Sequence, residues 1–67
     1  MGEGEIRMQA QMYALVADMA AITTEVDGMK AANTEREAQG FALAYDEAAF
    51  AQAAKDLAAL AEQLRAL

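Results

Sequence analysis

Apolar residues recur at alternating steps of four and three along two stretches of this chain. The first stretch runs Met8, Met12, Leu15, Met19, Ile22, Val26 and Met29. The second runs Phe50, Ala53, Leu57, Leu60, Leu64 and Leu67. A repeat of about 3.5 residues holds one stripe of a helix toward a partner helix, as in a coiled coil or a bundle. Neither stripe continues through Ala38 to Asp46, so the chain divides there into two helices.

The residues at the division support it. Gly40 can adopt the left-handed conformation that ends a helix, which places it just past the first one. Asp46 is a good N-cap for the second, and Tyr45 and Phe50 flank it at the spacing of a hydrophobic staple. Glu47 follows in the first turn, where the helix dipole favours negative charge. The pattern predicts a first helix over about 5–39, a loop over 40–45 and a second helix over about 46–66. Inside the first helix, Gly28 costs about 1 kcal/mol relative to alanine, and Thr34 with Glu37 has capping-box spacing. One continuous helix is expected, because Val26 and Met29 stay in register across Gly28. A kink near 28–34 is the alternative, and Gly28 can also mark a close approach of another helix.

Composition sharpens the class. Alanine, the best helix former, supplies 19 of 67 residues, and proline is absent. Candidate strand residues are few and scattered, so the chain reads as all-α. Cysteine and histidine are both absent. Disulfides, thiolate metal sites, cysteine nucleophiles and the commonest neutral-pH base are therefore missing together. Eleven acidic residues against five basic ones give a formal charge of −6, which would repel nucleic acid and anionic lipid. Asp18, Glu25 and Asp27 interrupt the longest helix pattern and exclude a membrane span. With no basic region followed by an apolar run, the expected location is cytoplasmic.

A chain this short has a thin core, and oligomerisation is the remaining way to supplement it. At 1.5 Å per residue the helices would measure about 52 and 32 Å. Folded back antiparallel, the second would reach roughly Met19 or Ala20. Ile6, Met8, Met12, Tyr13, Leu15 and Val16 would then lack cover, and such a stripe marks an interface. The expected architecture is an antiparallel two-helix hairpin that pairs with a second copy into a four-helix arrangement. Its seam comprises Met12, Leu15, Met19, Ile22, Val26, Met29, Phe50, Leu57, Leu60 and Leu64. Ala51, Ala54, Ala58 and Ala61 widen the apolar face of the second helix; they either admit a close partner helix or simply propagate the helix.

No arrangement for catalysis emerges. There is no phosphate-binding glycine loop, and the histidines that complete carboxylate metal sites in bundles are lacking. Neither an enzyme nor a cofactor is expected. A methionine stripe at helical spacing reads first as core, with the outermost Met8 and Met12 as the exceptions that face a partner. Asp18 and Glu25 lie seven apart on one helix face. They read either as a solvated face or as an acidic stripe that docks on a basic surface of another protein.

The central part of the chain carries a further pattern: Gly28-Met29-Lys30-Ala31, then Asn33, Arg36, Gly40, Ala44-Tyr45 and Phe50. It resembles a pattern in small helical-hairpin proteins encoded by bacteriophages and prophages. By size, helical character and acidity the chain is similar, within that group, to the quorum-sensing anti-activators. The resemblance implies a homodimer that binds a host LuxR-type transcriptional regulator and keeps it off DNA. A host pilus-assembly ATPase is a second implied partner. The alternative is a structural or assembly module with no regulatory target.

Overall fold

The computed structural model describes residues 2–67, which form two helices, α1 (Glu3–Ala38) and α2 (Glu47–Arg65), packed against each other as an antiparallel hairpin. The helix α1 starts two residues earlier than its apolar pattern indicates. Gly2 is its N-cap without any side-chain capping bond, and Glu3 and Glu5 place negative charge in the first turn. The helix passes through Gly28 without interruption. Thr34 does not restart it: its hydroxyl donates to the Lys30 carbonyl at 3.0 Å, one turn back within the same helix. A Cβ built on Gly28 meets nothing within 4 Å, so this glycine marks no close approach within the chain.

The end of α1 is a Schellman turn. Gly40 has φ +76°, the Gly40 amide donates to Glu37 O at 3.1 Å, and the Phe41 amide donates to Arg36 O at 2.8 Å. The helix α2 begins as its sequence predicts. Asp46 is extended, and its carboxylate accepts from the Ala49 amide at 3.0 Å.

The intervening loop departs from the expected geometry. It does not simply cap the top of the hairpin but turns back along the last turns of α1. The Asn33 side chain holds it at both ends of one residue: its amide donates to Tyr45 O at 2.8 Å, and its carbonyl accepts from the Tyr45 amide at 2.9 Å. Arg36 Nε donates to Ala42 O at 2.8 Å, and its guanidinium lies 5.9 Å from the centre of the Phe41 ring. Consequently α2 starts level with Asn33 rather than with the end of α1.

That offset carries the short helix further down the long one than expected. Ile22, Glu25 and Met29 share one hollow with Ala49, Ala53 and Asp56, and Asp18 and Ile22 share another with Asp56, Ala59 and Leu60. Nearer the N-terminus Leu15 is buried at 6% exposure. Cover thus extends past Met19 and Ala20 to Leu15. The result is a rod 58 Å long and 16 by 9 Å across, in which Leu15 and Met29 are the buried hydrophobic residues.

Candidate protein-binding surface

The seam residues separate by depth. Leu15 and Met29 are buried; Met19, Ile22, Val26, Phe50, Leu57, Leu60 and Leu64 are half-buried; Met12 and Met8 are exposed. A single layer of contact between two helices leaves most seam residues partly open on the side where no third helix lies. Nearer the N-terminus, Ile6, Tyr13 and Val16 are 55%, 65% and 48% exposed. A smaller apolar group, Phe41, Leu43 and Tyr45, is exposed at the turn.

Side chains advance about 100° per residue around a helix, so the two flanks of the hairpin can be told apart. On one flank the seam opens into a groove. Its walls are Asp18, Ile22, Glu25 and Met29 of α1, with Ala49, Gln52, Ala53, Asp56, Ala59 and Leu60 of α2 and Tyr45 of the loop. It consists of two adjoining hollows of about 450 and 260 Å³, with Ile22 and Asp56 common to both. The floor is apolar and the rim carries Asp18, Glu25 and Asp56. No Lys or Arg lines either hollow. Gln52 Nε2 donates to Asp56 Oδ1 at 3.0 Å. The ion pairs among the described residues, Arg7 with Glu3 and Arg65 with Glu62, lie on exposed surfaces elsewhere and involve none of the three rim carboxylates.

The opposite flank has a different character. There α1 presents Met12, Val16, Met19 and Thr23, and α2 presents Phe50, Ala54, Leu57, Ala58 and Ala61. This strip is free of charged side chains between Val16 and Thr23 on one helix and between Phe50 and Ala61 on the other. At its lower end it runs to Met12, while Tyr13 and Ile6 lie farther around α1.

The sequence-predicted partner residues take two positions on the hairpin. Asp18 and Glu25 rim the groove, while Met8 and Met12 lie at the open end of the seam. One participant escaped the sequence reading. Asp56 faces Asp18 and Glu25 across the groove, and its position one turn before Leu60 was the available signal. Asn33 and Arg36 were visible within the family-like pattern, but their work is on the loop.

Among the described residues no group of three His, Cys, Asp or Glu side chains could hold a metal ion. No described helix is long and apolar enough to cross a membrane. Comparison with known protein families, with curated proteins and with solved structures finds no match to this chain.

Proposed function

We propose that this chain is a helical-hairpin binding module that pairs with a second copy of itself and acts by occupying a partner protein, without catalysis. The observation that carries this reading is the surface left uncovered. A compact folded chain of this 7.1 kDa mass would expose about 4,100 Å². This one exposes 5101 Å². The excess is about 1,000 Å² per chain, and two such patches together equal a dimer interface of ordinary to large size. The charge-free alanine flank, together with Met12, Val16 and Met19 of α1, is the face best suited to the second copy. Small residues there allow close interaxial packing, and no like charges are brought together.

The partner is proposed from the residue pattern over Gly28–Phe50. On that resemblance it is a host LuxR-type regulator bound in the bacterial cytoplasm and withheld from DNA, with a pilus-assembly ATPase as a second target. A structural or assembly module is the competing reading. One observation favours it: Asn33, Arg36, Gly40 and Tyr45, the pattern's most distinctive residues, all serve the loop.

Two measurements test these statements. Light scattering should give twice the chain mass for the native protein. Val16→Glu combined with Ala58→Glu should halve that mass while the circular dichroism spectrum remains helical. A native monomer at all accessible concentrations would remove the dimer. Separately, the native chain should release a LuxR-type regulator from its operator in a mobility-shift assay. If the regulator stays on DNA at saturating protein, the assembly reading replaces the inhibitor.

A further inference from the structure

The groove on the acidic flank has a shape and charge that select its occupant. From Met29 to Asp18 it extends about 16 Å along α1, the length of three helical turns. Its floor of Ile22, Met29, Ala53 and Leu60 is apolar, and exposed carboxylates stand on both walls. We infer that this groove seats an amphipathic helix of a partner protein, with an apolar stripe on the floor and Lys or Arg residues beside Asp18, Glu25 and Asp56. The inference rests on reading the chain as a protein-binding module and names the chemistry of what it binds.

Charge complementarity is the argument for this occupant. Acidic groups at the rim with no basic neighbour leave their attraction unspent, and a basic helix would satisfy them in a partly desolvated setting. A second copy of this chain is a poor fit. Its own rim would set carboxylates against carboxylates, and its five Lys and Arg residues are scattered along 67 positions rather than arrayed beside an apolar stripe. A helix laid in a groove between two others also completes a three-helix layer. It covers the half-buried Ile22 and Leu60 that the hairpin leaves open.

The probe is a Leu–Lys peptide of about 18 residues with leucine at helical spacing, long enough to form a helix on binding. It is titrated into the native protein while the side-chain methyl resonances are followed by NMR. Shifts should concentrate at Ile22, Met29, Ala53 and Leu60 and spare Val16, Ala54 and Ala58 on the opposite flank. Combined Asp18→Asn, Glu25→Gln and Asp56→Asn should weaken binding about tenfold, the sum expected for three partly exposed charge pairs. A scrambled peptide of the same composition, and a Leu–Glu peptide of the same pattern, should both bind at least about tenfold more weakly.

Equal binding of the scrambled peptide would reduce the effect to net charge and overturn the inference. So would shifts centred on the alanine flank, or an unchanged affinity after neutralisation. If the groove methyls shift instead when the protein is diluted without peptide, the second copy is the occupant. The peptide results do not depend on the mass measured by light scattering, so a failure of the dimer on the alanine flank and a failure of the groove are told apart.

Discussion

Replacing Asn33 with alanine isolates the contribution of the loop clamp. The side chain makes two hydrogen bonds to the backbone of Tyr45, at 2.8 and 2.9 Å. Each such bond contributes about 0.5–1.5 kcal/mol net. Both Tyr45 groups lie near the surface, so water replaces part of the loss, and about 1–2 kcal/mol is expected in total. For a chain of this size that corresponds to a fall in Tm of about 5–15 °C, measured by circular dichroism at one fixed protein concentration. Asn33→Asp provides a check on sign. Its ionised carboxylate can still accept from the Tyr45 amide, but a second anionic oxygen then faces the Tyr45 carbonyl. The folded state therefore favours the protonated acid, and its pKa rises above the unfolded value of about 3.9. An acid with a raised folded pKa loses stability as pH rises from its unfolded pKa through its folded one. Relative to the native chain, the Asp variant should thus be as unstable as the Ala variant at neutral pH and should recover below about pH 4. A Tm within about 2 °C of native for Asn33→Ala would mean that the clamp is incidental and that the loop is held by Gly40 and Arg36 alone.

Three other substitutions follow from the same structure. Gly28→Ala should stabilise the chain by about 1 kcal/mol, because it lies mid-helix with open space at Cβ; loss of stability in chemical denaturation would instead place a partner helix against it. Gly40→Ala should destabilise by about 1–2 kcal/mol, because a Cβ is strained at φ +76°, and an unchanged denaturation midpoint would contradict the Schellman turn. Leu15→Ala should cost about 2–3 kcal/mol, near the low end for buried leucines, since only the lower end of α2 can cover it; a loss below about 1 kcal/mol would show that α2 does not cover it.

The parts of this fold that follow local rules were legible in the sequence. The seam, the left-handed Gly40 and the Asp46 cap each depend on residues within a few positions of one another. The start of α1 was placed two residues late, because its glycine-rich first residues hide a helix end favoured by Glu3 and Glu5. The reach of α2 was misjudged for a different reason. It depends on hydrogen bonds spanning 12 residues at Asn33 and 6 at Arg36, and apolar periodicity carries no record of such bonds. The groove was half legible. Asp18 and Glu25 stood out on one helix, whereas Asp56 joins them only once the register between helices is known.

The loop also gives the hairpin a direction of assembly. Its Schellman turn and the Asn33 and Arg36 bonds close at short sequence separation, so little chain entropy opposes them. Helix pairing can then zip downward from Met29 toward Leu15, each step adding contacts at greater separation. Unzipping runs the other way, from the N-terminal arm. Amide exchange should accordingly be slowest around Val26–Asn33 and fastest before Met12; the proposed pairing adds a steep gain in protection before Met12 as protein concentration rises. A uniform exchange rate along α1 would contradict this order. On the proposed pairing the two ends of one helix belong to different events: the upper end to folding, the lower end to association.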